Sequence, residues 1–374
     1  MRVSIVNSVC RARDAIGEAV HETYRAIVAR PGWECQLFTY ASDFTDVQTC
    51  PVTGTIDVVQ DPFFASSDVH LFHFGFYSPL FTLLGAGTSH TKRVVRFHNV
   101  TPKALVPAEI RPLIDRSYDQ IALMDEADEI WADSPYNRSD LIEYGISAKR
   151  ILVEPLFGKQ QYSFSGRKPS GRVNMLYVGR FVESKGVLDL IEAADRVRKL
   201  TTTSIHIDLV GSLTFSNSIY VETVRARIEA LKLGDVVTFA GEISDVELTR
   251  YYHDAHIVVI PSYHEGFCVP LVEALHARAI PVAYGAGNIP FLLDGVGEII
   301  PTGNTVALAA GLVRLANWYR AGWDGDSGPL PLCGTLVEAK EYAARITRHA
   351  NLYSVGEFRR RVVERLSIVT NRWM

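Results

Sequence analysis

The sequence predicts an α/β protein of two domains, each built on a parallel sheet. Three observations carry this. The 374 residues exceed what one hydrophobic core ordinarily supports. The stretch His256 to Gly287 reads as strand, loop, helix, strand, which is the parallel crossover unit. Beyond about residue 172 the chain restarts the alternation of apolar strands and amphipathic helices that fills its first 157 residues. The expected division is a first domain over 1–157, a polar Gly/Ser/Pro linker over 158–172, and a second domain over 173–355. A terminal amphipathic helix over 356–374 is expected to pack back on the first domain.

In order, Arg2 to Val6 is the first strand, and a loop through Asp14 and Gly17 leads into a helix from about Glu18 to Ala29. That loop sits where α/β domains bind ligands, although Gly17 also serves as an ordinary turn residue. Strands are expected at Trp33–Tyr40, Ile56–Gln60, Val69–Phe74 and Arg93–Phe97. His98 and Asn99 follow the last of these in a Pro-containing loop, so His98 is expected to point into the gap between facing domains. A helix over Ile114–Met124, a strand over Glu129–Ala132, a Ser134–Pro135 helix start and a strand over Ile151–Glu154 complete the half.

The second half opens with a strand, Asn174–Val178, and the loop Gly179 to Gly186. Arg180 and Lys185 stand five apart in that loop, just before a helix carrying Val187, Leu190, Ile191, Ala194 and Val197 on one face. Two cations beside free helix amides favour a phosphate clamp over two merely solvated bases. Strands at Ile205–Val210 and Val236–Ala240 and a Ser244-capped helix lead to the His256 stretch. There Pro270 suits the first helical position, and the amides of Gly266 to Val269 form an anion cradle. Glu265 and Glu273 bracket it. Carboxylates beside a phosphate site make sense if they accept hydrogen bonds from sugar hydroxyls flanking a diphosphate, which asks for a nucleotide sugar. The plainer alternative is a solvated loop acid and a partner for the helix dipole. Strand Gly295–Ile300, helix Thr305–Asn317, an irregular insertion around 321–334 and the terminal helix close the chain.

A formal net charge of −4 argues against nucleic acid as a partner. The first 157 residues are net acidic and the remainder slightly basic, the better half for a diphosphate. Five scattered cysteines without CxxC spacing point to reduced thiols in the cytoplasm, with neither zinc nor disulfides. The start MRVSIVNSVC lacks the apolar core of a signal peptide, and the apolar run Val69–Gly87 is interrupted by His70, His73, Gly75 and Pro79. Any membrane attachment is therefore expected to be peripheral, at the inner face. No GxGxxG, P-loop, GxSxG or HExxH motif is present, which removes the usual signs of nicotinamide enzymes, NTPases, serine hydrolases and zinc proteases.

GRFVESKG and HEGFCVPLVEALHARAIPVAYGAGNIP resemble the retaining glycosyltransferases of family 4, the group 1 glycosyltransferases. In the first half, DAIG, FHFGFYSPLF and FHNVTP resemble the bacterial surface-polysaccharide branch. The resemblance implies a GT-B fold of two Rossmann-like domains facing across a cleft. It also implies a reaction without metal or other cofactor, a nucleotide-sugar donor on the second domain, and a glycan or lipid-linked saccharide acceptor on the first. It further implies that Arg180 and Lys185 hold the diphosphate, Glu265 the donor sugar and Glu273 the ribose. Gly179, Gly266, Phe267 and Cys268 would line the donor, His98 would face the donor sugar, and Asp14, Gly17 and Asn99 would lie on the acceptor side. Cys268 stands where the family often has glycine. A sugar-nucleotide epimerase of similar fold and a non-catalytic nucleotide-sugar-binding subunit are the alternatives.

Overall fold

The computed structural model describes residues 1–164, 166–214, 216–323 and 328–371. The chain forms two units, Met1–Leu156 with Val355–Met374, and Phe157–Ser354. The first contains β1 (Arg2–Val6), β2 (Val9–Cys10), α1 (Ala15–Val28), β3 (Glu34–Thr39), β4 (Ala41–Ser42), β5 (Thr49–Pro51), α2 (Thr55–Val59), α3 (Pro62–Ala65), β6 (Val69–Phe74), β7 (Lys92–Phe97), α4 (Arg111–Ile121), β8 (Glu129–Ala132), α5 (Pro135–Glu143) and β9 (Ile151–Val153). Its main sheet runs β5-β3-β1-β6-β7-β8-β9, with every neighbouring pair parallel. All six residues of β6 are buried, as a strand covered on both faces requires.

Two local expectations are corrected here. Ile56–Gln60 is not a strand: its β-branched run lies in α2, because Asp57 turns back to accept from the amides of Thr53 and Gly54 at 2.6 and 3.2 Å. α1 begins at Ala15, three residues early, because the Asp14 carboxylate caps it by accepting from the Gly17 amide at 3.1 Å.

The second unit contains β10 (Val173–Val178), α6 (Val187–Leu200), β11 (Ile205–Val210), α7 (Ser218–Ala230), β12 (Val237–Gly241), α8 (Asp245–Asp254), β13 (Ile257–Ile260), α9 (Val269–His276), β14 (Ile280–Tyr284), α10 (Ile289–Leu293), β15 (Glu298–Ile300), α11 (Thr305–Trp323), β16 (Leu330–Leu332), β17 (Thr335–Val337) and α12 (Ala339–Leu352). Its parallel sheet runs β12-β11-β10-β13-β14-β15. Chain order reverses between β10 and β13, which makes that boundary the switch point where α/β sheets bind ligands.

Residues 158–172, expected as a linker, are part of this unit. The Gly158 amide donates to the Tyr353 carbonyl at 3.0 Å, and Lys168 Nζ donates to the carbonyls of Tyr252, His253 and Ala277 at 3.2, 2.9 and 2.7 Å. A polar composition misleads when its polar groups satisfy backbone carbonyls. The insertion around 321–334 holds the antiparallel β16–β17 hairpin, tied down by the Cys333 amide donating to Glu298 Oε2 at 2.6 Å. Its residues 324–327 lie outside the described residues. After α12 the chain returns to the first unit as α13 (Val355–Asn371). Phe358, Val362 and Leu366 are buried there, Arg359 pairs with Glu22 of α1, and Arg361 and Arg365 converge on Glu154.

Candidate functional site

The loops after β10 and β13 meet at the switch point of the second unit. Gly211 lies so close to the Gly179 carbonyl that a side-chain carbon there would fall 1.8 Å from the oxygen. At Gly186, with φ +63°, a side-chain carbon would fall 2.0 Å from the carbonyl oxygen of Pro261. The Tyr263 amide donates to the Ser184 carbonyl at 2.8 Å, so the two loops are joined through their backbones. Across this join Lys185 Nζ pairs with Glu265 Oε1 at 2.6 Å, with side chains only 19% and 12% exposed. Arg180 is exposed on the same loop and, among the described residues, its guanidinium makes no ion pair. Tyr177 donates its hydroxyl to the Arg180 carbonyl at 2.7 Å and so fixes the base of that side chain.

Glu265 is held from behind. The Asn288 amide donates to its carbonyl at 2.9 Å, Asn288 Nδ2 donates to the Phe267 carbonyl at 3.2 Å, and Gly287 (φ +58°) lets the two segments approach. α9 starts at Val269, which places Pro270 at the second helical position, one later than expected. Cys268 precedes the helix in the left-handed region, φ 84°, ψ 71°. Its side chain is buried, and burial, then the Glu265 charge, pushes the thiol well up, so it is protonated. Among the described residues the amides of Gly266, Phe267, Cys268 and Val269 donate to no protein acceptor, so they remain available to an anion. Glu273, in the second turn of α9 and 6% exposed, accepts from the Tyr252 hydroxyl at 2.7 Å. Beside Glu265, burial lowers the His264 imidazole to about 4, which leaves it neutral.

Thus Gly179, Arg180, Lys185, Glu265, Gly266, Phe267, Cys268 and Glu273 all belong to one pair of loops and one helix. His98, Asn99, Asp14 and Gly17 belong to the first unit and are described separately. Gly17 admits the Arg11 carbonyl where a side-chain carbon would sit 2.1 Å from it. The His98 ring turns inward: its side chain is 2% exposed, Nδ1 meets Asp133 Oδ2 at 2.6 Å, and Nε2 meets His73 Nδ1 at 2.9 Å. The expectation of a ring aimed outward from the unit is therefore corrected. Asp133 is also bound by Arg96 at 2.8 Å, so the carboxylate fixes the proton of His98 on Nδ1. Burial, then the neighbouring His98 and Arg96, holds the His73 imidazole well below its usual range. Asn99 takes φ +87° and donates through Nδ2 to Asn137 Oδ1 at 3.1 Å.

Sequence reasoning missed Tyr252, Asp133 and His73. Each acts through a partner more than twenty residues away, and no local pattern marks that. The nearest signal was the pair His70 and His73 in HLFHFG.

Residues 158–317 match the family model described as glycosyl transferases group 1. The MMP alpha-(1->4)-mannosyltransferase of Mycolicibacterium hassiacum is 27% identical over 194 residues, 50% of this chain and 45% of that one. A lipopolysaccharide 1,2-N-acetylglucosaminetransferase of Salmonella typhimurium is 32% identical over 126 residues, 33% of each chain. The chain spans about half the length of the mannosyltransferase, and less of the second protein. Among solved structures, a glycosyltransferase from Rickettsia africae superposes with a TM-score of 0.74 at 15% identity, covering 99% of both chains. Anabaena HepE, in complex with UDP, gives 0.72 at 16%, covering 98% of this chain and 100% of that one. These likenesses give the fold, GT-B.

Proposed function

We propose, from the match of residues 158–317 to the glycosyl transferases group 1 model, that the protein is a retaining glycosyltransferase. It moves a sugar from a nucleoside-diphosphate sugar to a hydroxyl of a glycan or lipid-linked acceptor, in polysaccharide or glycoconjugate assembly. The observation that carries this reading is the Lys185–Glu265 pair at the amino end of α9, where, among the described residues, four amides have no protein acceptor. Cation and amides suit a diphosphate; the adjacent carboxylates suit hydroxyls on either side of it.

In this reading Arg180 and Lys185 hold the diphosphate and stabilise the charge that grows on it as it leaves. They supply what a divalent metal supplies elsewhere, so the reaction needs no metal. Glu265 accepts from hydroxyls of the donor sugar, and Glu273, held by Tyr252, accepts from the ribose diol. The acceptor oxygen forms its bond to the anomeric carbon on the face from which the phosphate oxygen departs. The departing phosphate takes the electron pair of the broken bond and the acceptor's proton. Asp14, whose carboxylate already caps α1, is an exposed acceptor-side residue, and that commitment disfavours the acid/base role an epimerase would require. Among the described residues no helix is long and apolar enough to cross a membrane, so contact with a lipid-linked acceptor is proposed as peripheral, at the inner face.

The test is thermal denaturation against a panel of nucleotide sugars and nucleoside diphosphates, with and without EDTA. A ligand at 100 times its Kd adds about 2.7 kcal/mol. One donor that stabilises the protein equally in EDTA, with the effect lost in Arg180→Ala and Glu273→Ala, supports the reading. Silence across the panel overturns it.

A further inference from the structure

The first unit carries a polar and aromatic cluster that the donor reading leaves unused. Tyr118 of α4 stacks on Tyr144, the residue that ends α5, with ring centroids 5.0 Å apart at 29°. Tyr118 donates its hydroxyl to the Val100 carbonyl at 3.4 Å, which sets the pair beside the carboxyl end of β7. Asp140, in the same helix one turn before Tyr144, accepts from Asn99 Nδ2 at 3.4 Å. Tyr136 lies one further turn back, on the same helical face. Among the described residues Asp140 has no cationic partner, and it is half-buried. Burial, then the Glu143 charge, raises its carboxyl to about 6. A half-buried carboxylate with no counter-ion costs the folded state free energy, and such costs concentrate where a ligand is awaited.

We propose that Asp140, Asn99, Tyr136 and Tyr144 form a subsite for a neutral pyranose of the acceptor glycan, an assignment that presupposes the glycosyl-transfer reading above. A pyranose suits the Asp140 carboxylate and the Tyr144 ring. Its hydroxyls donate to a carboxylate, and its flat C–H face covers an aromatic ring such as Tyr144, which is 46% exposed. An ammonium ligand would instead want rings standing around it as walls, whereas Tyr118 and Tyr144 lie nearly parallel.

The test is saturation-transfer NMR on the full chain with methyl α- and β-glucopyranoside, galactopyranoside and mannopyranoside, with choline as a cation probe. The expected result is transfer to the ring protons of at least one glycoside, weakened about tenfold in both Asp140→Asn and Tyr144→Ala and kept in Lys185→Ala. Tyr144 is exposed, so its truncation leaves the core intact, and thermal denaturation confirms folding of each variant. No glycoside signal, an equal signal in both variants, a signal lost only in Lys185→Ala, or binding of choline alone would each overturn the subsite. The thermal shift with the panel of nucleotide sugars and nucleoside diphosphates, read on the same samples, separates the two readings. If it persists while the glycoside signal fails, only the subsite falls. If no nucleotide stabilises the wild type, the transferase reading falls whatever the glycosides do.

Discussion

The hydroxyl of Tyr252 donates to Oε2 of Glu273 at 2.7 Å, and both residues are buried, Tyr252 completely. Tyr252 sits against the Tyr162 ring, centroids 4.6 Å apart, so the donor cannot swing away. The bond fixes one oxygen of Glu273 and settles how the other is presented. Tyr252→Phe removes only that bond. The expected outcome is a loss of about 2 kcal/mol in denaturant-measured stability, the usual worth of a hydrogen bond to a charged group. Calorimetry should show nucleoside diphosphate binding weakened about tenfold, since the ribose then meets a misaligned carboxylate. An unchanged Kd would detach Glu273 from the donor.

Lys185 and Glu265 form the second test. Removing one member of a mostly buried pair strands the other, so Lys185→Met should cost about 3 kcal/mol. Lys185→Met with Glu265→Gln removes both charges and should recover most of that stability. Turnover should not recover: loss of a preorganised cation facing the leaving phosphate costs about 100-fold or more in kcat. Stability and activity measured across the cycle therefore separate. Parallel recovery of both would mean that the pair is structural.

The donor-side loops were legible because their chemistry is local. Gly179, Arg180, Lys185 and Gly186 lie within eight residues, Glu265 to Glu273 within nine, and helix-terminus physics relates them without knowledge of the fold. What escaped was long-range. The His98 ring is turned inward by His73, on the neighbouring strand, and by Asp133, just past the end of the next strand in sequence, so its orientation depends on sheet register. Ile56 to Gln60 carries a strand composition that one carboxylate, Asp57, overrules. The 158–172 segment looks like a linker because the carbonyls that accept from Lys168 lie more than eighty residues away.

Cys268 holds a left-handed backbone, φ 84°, where a side chain is strained. A glycine there has no such strain, whereas alanine keeps the strain and loses the buried sulfur. Cys268→Gly should therefore be the more stable of the two variants by about 1 kcal/mol in chemical denaturation. Because the thiol lies between Glu265 and Glu273 in the chain, its removal should also broaden the range of donor sugars accepted in a competition assay. If alanine equals or exceeds glycine in stability, the left-handed geometry at 268 is wrong.

Asp140 gives the pH dependence. Its folded carboxyl is raised to about 6 from 3.8, with Glu143 acidic beside it and Tyr118, Tyr136 and Tyr144 neutral around it. Between those values the folded state binds more protons than the unfolded one, so this group's contribution falls as pH rises through the window. Above about pH 6 the cost of the buried charge is present in full; below about pH 4 both states are protonated and it is absent. Asp140→Asn removes the charge at every pH. The variant should therefore melt above the wild type at pH 8, and the difference should shrink steadily on acidification to pH 4. Such a variant would gain stability while losing glycoside affinity, the pattern expected when a carboxylate serves a ligand at the expense of the fold. A wild type as stable as the variant at pH 8 would show that Asp140 carries no such cost.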